Sequence, residues 1–193
     1  MGLFHKKPKP KNQIPDLSRS FQETIIFATK TGEIGDLDCA EPIEKLKQAK
    51  EAFQGVDLSP ACASLIIALN QNVQKQLNPW DLPAALSALL ETLELVLSHG
   101  QAFEEKGVVE KLMDYYLTTF QMYQCQDGIG RLKQKGRSII AFAKEGKIDQ
   151  QQALEKTQAL KSQVVALETR LKAVTEKRAL LFQLFQNEIG GFA

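Results

Sequence analysis

Apolar residues recur at alternating intervals of four and three positions along the last third of the chain. The later stripe runs through Ala153, Thr157, Leu160, Val164, Leu167, Leu171, Val174, Arg178, Leu181 and Phe185. An earlier stripe with the same rhythm runs through Tyr115, Thr118, Met122, Cys125, Ile129, Leu132, Gly136, Ile139 and Ala143. A heptad pattern sustained this long is typical of a coiled-coil seam rather than of an ordinary amphipathic helix. The pattern predicts two long helices between residues 115 and 189.

The two stripes fit one antiparallel register if the chain folds back at residues 147–148. This register places Gly136 opposite Leu160 and Cys125 opposite Leu171, so that small side chains face large ones. The predicted hairpin seam comprises Cys125, Ile129, Leu132, Ile139, Leu160, Val164, Leu167 and Leu171. The same register between two chains differs only at the turn, so the pattern leaves open whether the hairpin is intramolecular or swapped.

The residues at the fold-back point are those that end one helix and begin another. Gly146 suits the left-handed position after a helix C-terminus, and Lys144 is favourably placed beside the carbonyl end of that helix. Asp149 can cap the next helix. The turn is therefore predicted near residues 145–149.

Near the base of the hairpin both helices become apolar on almost every side. The second carries Phe182, Phe185, Ile189 and Phe192, which we take as a candidate interface. Because a helix that is apolar all round must be buried, the N-terminal helices or another subunit should pack against this base. The tip would then project as an arm of about 25 residues per helix, or about 35–40 Å.

The preceding part of the chain reads as several shorter helices. Amphipathic patterns with capping signals cover residues 16–31, 42–54, 60–76 and 82–99, although residues 24–27 also suit a strand. The predicted fold is all-α, with an N-terminal helical bundle packed on the base of a long C-terminal antiparallel coiled-coil hairpin. Its parts are a disordered basic tail at 1–15, the bundle at 16–107 and the hairpin at 108–193.

Composition narrows the class of protein. The formal net charge of the 193 residues is +1, so no overall field favours a nucleic-acid partner. The three cysteines are an odd number without a CxxC pair, which indicates a reducing compartment. No apolar run approaches the ~20 residues of a membrane span. We therefore expect a cytoplasmic protein.

No stretch carries a recognisable catalytic, metal or cofactor motif. The two histidines, His5 and His99, have no cysteine or second histidine at zinc-ligand spacing. Gly128, Gly130 and Gly136 follow no predicted strand and lack the GxGxxG spacing, so a kink or a close helix contact explains them better than a phosphate loop. We expect no cofactor and no catalytic site, with carboxylates assembled from several helices as the remaining route to an enzyme.

The N-terminal tail offers a second kind of surface. Leu3 and Phe4 could enter a membrane surface while Lys6, Lys7 and Lys9 face anionic headgroups, although a solvated terminus is the simpler interpretation. This basic start at residues 1–11, and the hairpin that turns at a glycine within residues 144–174, resemble features of ESCRT-III-type membrane-remodelling proteins. That family has its hairpin near the N-terminus, whereas about 100 residues precede it here.

Three functions compete on these observations. The favoured one is a non-enzymatic interaction module, an adaptor, scaffold or assembly subunit, whose hairpin arm reaches a protein partner or a second copy of the chain. The alternatives are a helical scaffold that lies peripherally on a membrane through its tail, and an enzyme with an unrecognised site in the bundle.

Overall fold

The computed structural model describes residues 19–20, 22–24, 26–28, 30, 40–52, 60–75, 81–99 and 106–190. Helix α1 comprises the described residues between 19 and 30, and α2 spans Ala40–Ala52. The others are α3 (Pro60–Gln74), α4 (Leu82–His99), α5 (Lys106–Lys144) and α6 (Gln150–Gly190). The described residues include no strand, so the predicted all-α class is confirmed. Residues 24, 26 and 27 are helical, and the strand interpretation of this stretch is wrong there.

Helix α4 lies at the centre of the N-terminal bundle. Its stripe of Leu82, Leu86, Leu89, Leu93 and Val96 is completely buried. Alanines between the leucines are buried as well, which makes α4 apolar on most sides and lets it pack against α2, α3 and α5 together. Burying each leucine contributes ~1.5–3 kcal/mol, so this helix is the main apolar support of the bundle.

The N-terminal helices cover the base of the hairpin. Leu112, Tyr116 and Phe120 of α5 and Phe185 of α6 belong to the same buried cluster as the α4 leucines. The sequence predicted that either the N-terminal helices or another subunit would pack against the apolar base. The structure shows the N-terminal helices of the same chain in that place.

Helix α4 also sets the length of the free arm. Burial raises the pKa of Asp127, Arg131 lowers it, and the charge of Asp81 on α4 raises it to a smaller extent. The Tyr123 hydroxyl of α5 donates to Glu91 of α4. Helix α4 thus runs antiparallel to α5, with its N-terminal end toward the tip of the hairpin. The part of α5 beyond Asp127 is about 17 residues, or roughly 25 Å at 1.5 Å per residue, which is shorter than the arm expected from the sequence.

The turn between α5 and α6 follows from three residues. Gly146 has a φ of 71°, the left-handed conformation in which glycine is favoured. The Lys147 amide donates to the Phe142 carbonyl at 2.9 Å and the Gly146 amide to the Ala143 carbonyl at 3.1 Å, the paired bonds of a Schellman C-cap. Asp149 accepts from the amides of Gln151 and Gln152, which caps α6.

Contacts along the hairpin agree with the antiparallel pairing read from the sequence. A Cβ atom built on Gly136 would lie 3.9 Å from Cδ1 of Leu160, and one on Gly128 would lie 3.0 Å from Cδ1 of Leu167. Toward the base, the rings of Tyr115 and Phe182 have centroids 6.3 Å apart. The hairpin forms within one chain, while its detailed coiled-coil packing stays a prediction.

The glycines of α5 allow a matched test of where the two helices approach closely. We expect Gly130→Ala to raise the free energy of unfolding by up to ~1 kcal/mol, because a Cβ there meets nothing within 4 Å and alanine favours the helix. Gly128→Ala should gain less or lose stability, since its Cβ would press on Leu167. Urea unfolding of both variants checks this, and equal gains would contradict a close approach at Gly128.

Candidate functional site

On α5 the seam is buried toward the base of the hairpin and half-buried along the arm, whereas on α6 it is half-buried from Thr157 to Leu181. Cys125 and Ile129 are buried, with 2% and 9% of their surface exposed. The other six predicted seam residues are only half-buried: Leu132, Ile139, Leu160, Val164, Leu167 and Leu171. Two helices alone cannot cover both sides of the apolar stripe between them, and among the described residues only those of α5 and α6 line the open part of this seam.

A groove of about 330 Å³ lies between α5 and α6 on this open part of the seam. Its apolar walls include Leu132 and Ile140 from α5 and Leu160 and Val164 from α6. Ile140 is a large apolar side chain with 49% of its surface exposed. Such exposed apolar surface between ordered elements is typical of an interaction site.

The rim of the groove is basic. Lys133 and Arg137 of α5 and Lys161 of α6 line it, and its lining contains no acidic residue. Lys133 reaches Glu168 across the hairpin at 3.2 Å, and both side chains are about half exposed. Arg137 and Lys161 are exposed and form no ion pair within the described part of the chain. The groove therefore combines an apolar floor with uncompensated positive charge.

At the base of the hairpin, a polar cluster joins α4, α5 and α6. Arg178 forms an ion pair with Glu91 of α4 and donates to Thr119 of α5 at 3.0 Å. Its guanidinium carbon also lies 5.0 Å from the ring centroid of Tyr115. The Tyr123 hydroxyl donates to the same Glu91 carboxylate. This cluster fixes which side of the hairpin α4 occupies.

Burial raises the pKa of two tyrosines in this cluster beyond an ordinary value that already keeps them protonated near neutral pH. It raises the pKa of Tyr115 above its ordinary value, more than the nearby Arg178 lowers it. Burial, followed by the hydrogen bond to Glu91, raises the pKa of Tyr123. Both hydroxyls therefore stay protonated near neutral pH, and the Arg178 charge is balanced by the Glu91 carboxylate, as expected of a structural cluster.

Two of the four candidate interface residues at the base have described side chains, and these two differ in burial. Phe185 is only 3% exposed and lies inside the core of its own chain, because the bundle covers the side of α6 that it occupies. Phe182 is half-buried beside Tyr115. The Ile189 side chain and the whole of Phe192 lie outside the described residues. Exposed apolar surface at the base comes instead from Leu180 and Leu184, one helical turn apart on α6.

An acidic cleft of about 290 Å³ lies between α2, α4 and α5. Glu41, Glu91 and Glu94 line it together with Lys45, which pairs with Glu41 at 2.6 Å. Within the described residues, no group of three or more His, Cys, Asp or Glu side chains could hold a metal ion. Burial raises the pKa of Cys62 to about 11, which keeps that thiol protonated. Of the described residues that line the cleft, Tyr123 donates its hydroxyl to Glu91 as part of the cluster around Arg178.

The tail residues Leu3, Phe4, Lys6, Lys7 and Lys9 all lie outside the described residues, so the membrane-contact hypothesis stays a prediction. Across the residues the structure describes, none of the helices has the length and apolarity needed to span a bilayer. Comparison with protein-family models, curated proteins and solved structures finds no match to this chain.

Two features of the site were missed by the sequence patterns. The cations Lys133, Arg137 and Lys161 are not part of the predicted seam, yet they border the apolar groove. The sequence feature that could have indicated this is their position directly next to residues of the heptad stripe. Arg178 was a charged residue on the stripe itself, a position that indicates a specific polar partner. Nothing in the sequence identified Glu91 as that partner.

Proposed function

We propose that this chain is a non-enzymatic, cytoplasmic protein-interaction module, in which the bundle anchors the hairpin and the arm binds a protein partner. The observation that carries the proposal is the half-buried seam along the arm, with its groove of about 330 Å³ between the helices. A stable hairpin that leaves apolar surface open over several turns resembles half of a helical interface.

The location of the bundle's core residues supports the proposed role of the arm. Its core residues all lie outside residues 129–167, so the arm adds nothing to the core of the bundle. An extension whose described residues stand outside the core of the bundle is suited to contact with another molecule. The enzyme alternative has weaker support, because the acidic cleft contains neither a reactive thiol nor a metal-ligand cluster among the described residues.

Affinity purification from the native host with three baits tests the proposal. The baits are the intact chain, a chain in which a short Gly/Ser turn replaces residues 129–167, and the double variant Leu180→Ser/Leu184→Ser. We expect a partner that is captured by the intact chain and by the double variant but is lost with the arm. Circular dichroism and thermal unfolding of the arm-replaced bait must first show that the bundle retains its structure.

Equal capture by the intact and arm-replaced baits would contradict the role of the arm. Loss of the partner with Leu180→Ser/Leu184→Ser, and its retention without the arm, would place the working surface on the exposed side of α6 at the base. Reciprocal purification with the identified partner as bait separates direct binding from co-purification.

A further inference from the structure

We propose that the groove on the arm binds an acidic amphipathic helix of a partner protein, which lies end to end with α4 as the third helix of the hairpin. This proposal rests on the proposed interaction function and adds the location, the secondary structure and the charge of the bound segment. It is carried by three observations: the groove continues the side occupied by α4, it is wide enough to admit side chains, and its rim is basic.

The groove and α4 lie on the same side of the hairpin. Thr119 of α5 accepts a hydrogen bond from Arg178 at the base, where α4 packs against the hairpin. Two groove residues of α5, Lys133 and Ile140, lie two and three heptads after Thr119. On α6, the groove residues Val164 and Thr157 lie two and three heptads before Arg178. Residues at heptad spacing share one face of a hairpin helix, so the surface that meets α4 at the base continues toward the tip as the open groove.

Because α4 ends partway along the hairpin, the same surface has space for a second helix nearer the tip. Helix α4 begins at Leu82, and the effect of the Asp81 charge on the pKa of Asp127 indicates how far it extends toward the tip. Beyond this point the seam residues of α5 change from buried ones such as Ile129 to half-buried ones such as Leu132. A helix laid along the remaining ~25 Å would cover the α5 side of the seam, as α4 covers α5 at the base.

The charge of the groove selects the chemistry of the helix. Lys133, Arg137 and Lys161 stand on both walls, so a helix in the groove would have cations on each side. Helix α4 provides the precedent, because its charged residues are Glu91 and Glu94, and Glu91 pairs with a cation of α6. Acidic residues flanking an apolar stripe would form equivalent pairs, whereas a basic helix would be repelled.

The test uses a phage-displayed library of helical peptides of about 16 residues. Apolar positions are fixed as Leu or Ile at i, i+3, i+4 and i+7 spacing, and the flanking positions vary among Glu, Lys, Gln and Ser. Selection is against the intact chain. We expect enrichment of peptides with Glu at the flanking positions, and binding of the selected peptides that weakens as salt is raised.

Matched variants locate the binding site. Ile140→Asp removes an apolar contact and Lys161→Glu removes a charge pair. Each should weaken the affinity of a selected peptide, measured by fluorescence anisotropy, by about tenfold or more. Val165→Asp and Lys156→Glu are the controls, since both residues are exposed on α6 and neither lines the groove. Changes of less than about twofold are expected for these controls.

Several outcomes would overturn the inference. These are failure to enrich any peptide, enrichment of neutral or basic peptides, and equal effects of the groove and control variants. Concentration-dependent dimerisation of the intact chain that Ile140→Asp abolishes would show that a second copy fills the groove instead. If arm-dependent capture of the native partner persists with Ile140→Asp and Lys161→Glu, the proposed function stands and only the groove inference fails.

Discussion

Arg178→Leu is expected to lower the free energy of unfolding by about 2–3 kcal/mol, because it leaves the Glu91 carboxylate without its cation at the junction of three helices. Breaking a fully buried pair costs ~3–5 kcal/mol, and we reduce that figure because the two side chains are 28% and 26% exposed. The substitution also removes the bond to Thr119. Urea unfolding monitored by circular dichroism measures the change.

Two further variants identify the cause of that loss. Glu168→Gln removes the exposed pair with Lys133 and should change stability by less than ~0.5 kcal/mol. The double variant Arg178→Leu/Glu91→Leu should recover part of the loss, since apolar residues can replace a paired charge once neither charge is left alone. If Arg178→Leu is as mild as Glu168→Gln, the cluster does not hold α4 on the hairpin.

Leu167→Asp is expected to separate the two helices of the arm and to lower the melting temperature by roughly 5–10 °C. Leu167 approaches α5 closely, with Cδ1 3.0 Å from the Cβ position of Gly128. An aspartate would place a charge without a partner in the seam and would remove apolar contacts, a combined cost of about 2–3 kcal/mol. Hydrogen exchange should show the loss of protection concentrated in residues 130–166.

Val165→Asp is the control for this experiment. Val165 lies two residues earlier on the same helix and is more than half exposed, so the same aspartate should change stability by less than ~0.5 kcal/mol there. Full retention of stability by Leu167→Asp would show that the assigned pairing of α5 and α6 is wrong. Together the two variants separate the seam of α6 from its outer face.

The two predictions concern the two ends of one surface. Arg178 acts where α4 covers the hairpin, and Leu167 lies near the point at which the seam becomes half-buried. An intact base with a damaged arm, or the reverse, would show how far the folding of the bundle and that of the hairpin are coupled. This coupling matters for function because a partner helix bound to the arm would pack against the same seam.

The sequence determined the features that depend on residues close together in the chain. The spacing of the α4 leucines defined its buried stripe, since a 3.6-residue period places them on one face. Gly146 and Asp149 defined the turn because a left-handed cap and an N-cap each depend on a few neighbouring residues. The pairing of Gly136 with Leu160 followed from that turn, because folding at one point fixes the register of two regular helices.

The tertiary structure decided what depends on residues far apart. Heptad spacing shows that Arg178 faces the seam but not that Glu91, on another helix, meets it there. Phe185 and Leu184 are equally apolar neighbours, yet Phe185 is interior and Leu184 exposed because α6 presents only one side to the bundle. The groove on the arm arises in the same way, since α4 ends before the seam does. Local periodicity defines the faces of a helix, and only the packing of distant elements determines which faces are covered.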